Sequence, residues 1–261
     1  MEVVIVPDAA AAGELIAETM AALLRRKPDA LLGVATGSTP LPVYQALAAK
    51  VRAGTVDASR ARVCQLDEYV GLPAGHPESY RSVLLREVIG PLGLSSDAFM
   101  GPDGTATDIP AACQAYDAAL SAAGGVDLQL LGIGTDGHIG FNEPCSSLAS
   151  RTRIKSLTDQ TRADNARFFD NDIAQVPRHV ITQGIATILE ARHLILLATG
   201  ENKAEAVAQT VEGPLTALVP ATALQLHPHA TVIADEPAAT ELKLAPYFRA
   251  TYTAKPSWQH L

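Results

Sequence analysis

Apolar residues fall in short, nearly unbroken runs separated by stretches of helical spacing, and that rhythm repeats along the whole chain. Residues 2–6 (EVVIV), 30–35 (ALLGVA), 62–66 (RVCQL), 126–133 (VDLQLLGI), 193–198 (HLILLA) and 230–234 (ATVIA) read as buried strands. Between them, residues 9–26, 41–51, 78–89, 108–123, 160–171, 177–191 and 202–211 carry helical periodicity. Asp8 is placed to cap the first of these helices and Pro40 to sit in the first turn of the second. Apolar strands alternating with helices predict an α/β fold: a single domain over residues 1–261, with a doubly wound, mostly parallel sheet and helices on both faces. In such sheets ligands bind beyond the carboxyl ends of the strands. The loops after Ala35, Leu66, Ile133 and Ala198 all lie at that edge.

One of those loops concentrates chemistry. Residues 132–144 (GIGTDGHIGFNEP) bring Asp136, His138 and Glu143 together among four glycines, which let a backbone approach a ligand closely. An imidazole has an unperturbed pKa of about 6.5, suited to moving protons at neutral pH, and two carboxylates can fix its tautomer and orientation. A glycine-rich turn with a capping Asp and an incidental His is the plainer alternative; the clustering of three such groups weighs against it.

The other strand ends offer weaker signals. Thr36, Gly37, Ser38 and Thr39 lie between a strand and a helix, where backbone N–H groups, hydroxyls and the helix dipole can hold a phosphate. Neither GxxxxGK nor GxGxxG is present, and a capped turn explains the tetrad equally well. Lys203 and Arg167 could each add a cation, although either alone reads as a solvated surface charge. Asp67 and Glu68 terminate a strand, where a carboxylate can reach into the crevice as a base or serve as a cap. His227 and His229 lack a nearby acidic or Cys partner, so no metal is expected there.

Composition narrows the classes. Residues 1–10 (MEVVIVPDAA) carry no basic segment ahead of an apolar run, and no uninterrupted apolar stretch of about 18 residues occurs. The expectation is a cytoplasmic protein without a membrane partner. Cys64, Cys113 and Cys145, with no CxxC spacing, read as reduced thiols. A formal net charge of -8 argues against a nucleic-acid surface, and an anionic substrate would need a local site to outweigh it.

Taken together, the motifs resemble those of the glucosamine-6-phosphate deaminases, the sugar-phosphate isomerase/deaminase family. TGSTP (36–40), LDEYVGL (66–72), HPESY (76–80), DGHIGFNEP (136–144), SSLASRTRIK (146–155), RFFDND (167–172) and LQLHP (224–228) occur in the family's order and span most of the chain. The resemblance implies conversion of the sugar phosphate glucosamine 6-phosphate to fructose 6-phosphate and ammonia, with no metal or organic cofactor. It implies that His138 opens the pyranose, oriented by Asp136 and Glu143, and that Asp67 takes the C2 proton. Thr36, Gly37, Ser38, Thr39, Arg167 and Lys203 carry over as phosphate ligands.

Some family members are hexamers activated by N-acetylglucosamine 6-phosphate bound between subunits. Ser146, Ser147, Arg153 and Lys155 resemble that site, and Tyr247 resembles the aromatic that closes it. The tail TYTAKPSWQHL departs from the family pattern, and SSLASRTRIK could equally be a basic surface loop. Thr135 and Gly140 stand where Asn and Ala are common, without touching the acid/base groups. Galactosamine-6-phosphate deaminase, 6-phosphogluconolactonase and a non-catalytic sugar-phosphate sensor are the alternatives. Asp67 argues against the lactonase, which needs activated water rather than removal of a carbon-bound proton.

Overall fold

The computed structural model describes residues 1–256, 258–259 and 261, apart from the side chain of Asp164. The chain opens with β1 (Glu2–Val6) and α1 (Ala9–Arg26), whose N-terminus Asp8 caps by accepting the N–H of Ala11. β2 (Leu31–Val34), α2 (Leu41–Arg52) and β3 (Arg62–Gln65) follow, then β4 (Asp67–Tyr69), α3 (Tyr80–Leu84) and β5 (Phe99–Met100). α4 (Ile109–Ala122) leads to β6 (Leu128–Leu131), and β7 (Arg153–Ser156), α5 (Asp159–Asn165), β8 (His179–Thr182) and α6 (Ile185–Leu189) come after the central loop. β9 (Leu194–Ala198), α7 (Ala204–Glu212), β10 (Ala230–Asp235) and α8 (Ala245–Thr253) complete the chain.

Among the described residues, seven strands form one sheet in the order β1-β10-β9-β6-β2-β3-β5, every pair of them parallel. The mostly parallel, doubly wound sheet matches the sequence expectation. Alternate strand residues feed two cores. Val4, Leu32, Leu130 and Ile195 pack with Ile16 and Met20 of α1 and Leu47 of α2 on one face. On the other, Leu31, Leu131, Leu194 and Val232 pack with Tyr116 and Leu120 of α4 and Val207 of α7. Both faces are dry, which is why the strands read as continuous apolar runs.

The connection from β2 runs outward to β3, while that from β6 runs the opposite way to β9. The loops that leave β2 and β6 therefore part at their carboxyl ends and open a crevice at a topological switch point.

A second, three-stranded sheet, β4-β8-β7, is antiparallel and corrects the sequence reading in three places. Residues 67–69 do not end a strand; they begin a new one. At Leu66 the chain turns from one sheet to the other, its N–H bonded to Val34 O at 3.2 Å and its C=O to the N–H of Gln183 at 2.9 Å. Residues 177–191, expected to be helical, contain β8; the β-branched run Val180, Ile181, Thr182 prefers extended backbone, and only Ile185–Leu189 is helical. Residues 153–156 form β7 rather than loop, polar because the strand lies at an edge.

Candidate active site

Each loop at the switch point is pinned from below. Beneath residues 36–39, the buried Tyr44 hydroxyl donates to Ala35 O at 2.7 Å and accepts the Ala35 N–H at 3.0 Å. Gly37 has φ +102°, and no atom lies within 4 Å of where its Cβ would stand, so backbone conformation rather than space requires glycine. α2 begins directly beyond with no side chain capping its N-terminus, which leaves the positive end of the helix dipole toward this loop.

The loop after β6 is tied at several points. Gly134 N–H donates to His138 O at 2.9 Å, Ala221 N–H to Gly137 O at 2.9 Å, and the buried Asn142 amide to Ile139 O and Gln183 O, each at 2.9 Å. That frame holds His138 Nδ1 2.7 Å from Asp136 Oδ1 and 3.8 Å from Glu143 Oε2. The His138 N–H donates to the same Asp136 oxygen at 3.2 Å, and Glu143 Oε1 accepts from Thr161 Oγ1 at 3.1 Å. The hydrogen bond from His138 holds the Asp136 carboxyl well below the usual carboxylate range. At Gly134 a Cβ would overlap the His138 ring and Asp136 Oδ1, so here glycine serves close approach.

Asp67, at the start of β4, is 7 % exposed. Burial, reinforced by the neighbouring Glu68 charge, pushes its carboxyl up to about 8. Asp67 and His138 line one cleft of about 390 Å³ with Thr36, Gly37, Ser38 and Thr39. Arg167 and Lys203 line it as well, the guanidinium lying 4.8 Å from the Phe168 ring centre. Of the ten residues expected at the active site, eight line this cleft, Asp136 is paired with His138, and Glu143 lies 3.8 Å from His138 Nδ1.

Several residues here carried no role in the sequence reading. Tyr80 and Tyr69 rings lie 4.5 Å apart, Tyr80 is parallel to Phe141 at 6.2 Å, and Tyr69 meets Phe169 edge-on at 5.7 Å. Together they form an aromatic wall along the cleft. Tyr69 and Tyr80 sit inside LDEYVGL and HPESY, so the motifs held them; Thr161 gave no signal. Glu68 is not aimed at the crevice as a base; its carboxylate is spent on N–H donors.

The expected second site is divided within one chain. Arg153 and Lys155 are half-buried on one face of β7, with Ile154 and Ser156 exposed on the other. Ser146 is buried with Oγ unpartnered, while Ser147 accepts the Ala149 N–H. Tyr247 is 61 % exposed on α8, which packs against β1, not the small sheet.

Asp136, His138 and Glu143 each present a ligand atom within 4.8 Å of the others, and are the group among the described residues that could take a cation. Nδ1 is already engaged by Asp136, an arrangement that orients the ring without a metal. A larger groove of about 920 Å³ at the opposite sheet edge, lined by Arg25, Lys27, Arg192 and Lys255, holds none of these groups. No described helix is long and apolar enough to cross a membrane.

Residues 8–233 match the family described as glucosamine-6-phosphate isomerases/6-phosphogluconolactonase. A glucosamine-6-phosphate deaminase of Streptomyces avermitilis is 79 % identical over 259 residues, covering 99 % of both chains. Its counterpart in Mycolicibacterium smegmatis is 60 % identical over 259 residues, again with 99 % of each chain covered. Among solved structures, a monomeric glucosamine-6-phosphate deaminase superposes with a TM-score of 0.89 at 38 % identity, covering 92 % of this chain and 100 % of that one. A 6-phosphogluconolactonase from Trypanosoma cruzi shares the fold at TM-score 0.74 and 19 % identity, over 93 % and 97 % of the two chains.

Proposed function

The chain belongs to the family of glucosamine-6-phosphate isomerases and 6-phosphogluconolactonases, and from that premise we propose that it converts glucosamine 6-phosphate and water to fructose 6-phosphate and ammonia. One observation carries the choice within the family: a buried carboxyl, Asp67, shares a cleft with His138. Hydrolysing a lactone requires activation of water, whereas the deamination requires removal of a proton from carbon, and a carboxyl shielded from water suits the second.

The phosphate is received by residues 36–39 at the start of α2, with Arg167 and Lys203, a local cationic site that offsets the net charge of -8. His138 moves a proton between the ring oxygen and the anomeric hydroxyl, opening the pyranose to the aldehyde. Asp136 holds Nδ1, so Nε2 is the nitrogen that exchanges the proton, and Glu143 steadies the ring from 3.8 Å.

Asp67 then takes the C2 proton, leaving an enolamine across C1 and C2. With its carboxyl raised to about 8 by burial and the Glu68 charge, Asp67 is largely protonated at neutral pH before substrate binds. A substrate ammonium at C2 supplies the positive charge that returns it to the carboxylate. A base costly to ionise is a strong one once ionised. The proton goes back to C1, C2 becomes an iminium, and water adds there as ammonia leaves to give the C2 ketone.

The same reading takes the 261 residues as one catalytic domain of a cytoplasmic enzyme. It takes Ser146, Ser147, Arg153 and Lys155 as a second sugar-phosphate site for N-acetylglucosamine 6-phosphate, closed by Tyr247 of another subunit in a hexamer. Two cations at i and i+2 on one strand face support it, and the buried Ser146 hydroxyl has no partner within the chain. Mass measurement in solution tests the assembly: a hexamer agrees, and a monomer in the assay removes the inter-subunit site.

For the reaction itself, purified protein is given glucosamine 6-phosphate, and ammonia and fructose 6-phosphate are measured. Equal release of both is expected. Turnover of galactosamine 6-phosphate or 6-phosphogluconolactone instead would redirect the assignment, and no turnover of any of the three would favour a sensor.

A further inference from the structure

Glu68 takes no part in the proton transfers above, yet its side chain is 6 % exposed and fully engaged. Oε1 accepts the N–H groups of Tyr69 at 2.8 Å and Tyr80 at 2.9 Å; Oε2 accepts the Arg81 N–H at 2.8 Å and Gln65 Nε2 at 3.2 Å. Four donors match the roughly four acceptor sites of a carboxylate. Two of them are the first N–H groups of α3, so Glu68 ties that helix to the strand that carries Asp67. Tyr80, the first residue of α3, lies between Tyr69 and Phe141 along the cleft, its ring tilted to the first and parallel to the second.

Titratable groups reach Asp67 from several elements. On its own strand they are Glu68 and Tyr69; from α3 comes Tyr80, from α4 Tyr116, and lining the same cleft are His138, Glu78, Arg86, Glu87, Arg167 and Lys203. Glu68 is the adjacent anion, and the Tyr69 and Tyr80 rings line the cleft beside the buried Asp67, close enough to interact with its charge.

Resting on Asp67 as the proton acceptor, we infer that Glu68 is its positioning residue: it fixes the aromatic rings beside Asp67 and holds a like charge next to it. Both effects make Asp67 harder to ionise and therefore a stronger base, so they govern where the acid limb of the pH profile falls. An ordinary structural carboxylate would not.

The test is the pH dependence of kcat/KM for the whole enzyme with glucosamine 6-phosphate. Glu68→Gln keeps an acceptor for the α3 N–H groups and removes the charge. Its acid limb is expected to fall by about one pH unit, the scale of one charge a few ångströms away, with a lower plateau. A lower plateau with the limb at the wild-type pH would overturn the inference. Should Glu68→Gln fail to fold, Tyr80→Ala decides, since it leaves all four donors to Glu68 and removes a ring beside Asp67. There too a lowered limb supports the link and an unmoved one overturns it. Asp67→Asn separates the readings. If it is inactive while the other limbs stay put, only the Glu68 inference falls; if it turns over normally, both fall.

Discussion

His138 presents Nδ1 to Asp136 Oδ1 at 2.7 Å, and the His138 backbone N–H points to the same oxygen at 3.2 Å. A carboxylate so placed accepts a proton held on Nδ1, which fixes the neutral ring in the tautomer whose Nε2 is free to exchange. The pairing depends on a residue with no side chain, because the turn brings Gly134 against the ring.

Gly134→Ala is therefore expected to push the imidazole off Asp136 while leaving the fold intact. Misplacement of a catalytic group by about 1 Å costs on the order of 10²-fold, so kcat should fall by about that much. Steady-state kinetics with a circular dichroism check measures it; a kcat near wild type would show that the ring has room to spare.

Tyr44→Phe removes both hydrogen bonds at Ala35 and leaves a buried N–H and C=O unpaired. The expected cost is about 1–3 kcal/mol in urea unfolding, with KM raised more than kcat is lowered, because the loop it supports is the one assigned to phosphate. Unchanged stability and KM would remove Tyr44 from that role.

Asp67 should make the enzyme less stable as pH rises. Its carboxyl ionises near 3.8 when unfolded and near 8 when folded, so between those values the folded state binds the extra proton. Stability contributed by this group is complete below the lower value and is lost as pH climbs toward the upper one. Asp67→Asn escapes the penalty: its Tm should exceed wild type by at least about 2 °C at pH 7.5, with the gap closing toward pH 4. A gap independent of pH would contradict the burial argument.

The large sheet was legible because its strands are buried on both faces and announce themselves as apolar runs; residues 194–198 needed no context. The small sheet was not. β7 reads RIKS, an edge strand whose polarity imitates a loop, and β8 follows a proline inside a stretch rich in helix formers. Asp136, His138 and Glu143 share one loop, so local sequence suffices to group them. Their meeting with Asp67 depends on Leu66 passing the chain between two sheets, which no local pattern encodes. Glu68 is the sharpest case: beside Asp67 in sequence, it could have been either base or brace, and only its four donors separate the two.

The central claim is that Asp67 removes a proton from carbon. Release of ammonia and fructose 6-phosphate by Asp67→Asn, measured alongside wild type with binding of fructose 6-phosphate as a check on the cleft, tests it most directly. The expected result is intact binding with turnover reduced by about 10² to 10⁴, the contribution of a general base. Turnover within a few-fold of wild type would contradict the assignment and place the base elsewhere in the cleft.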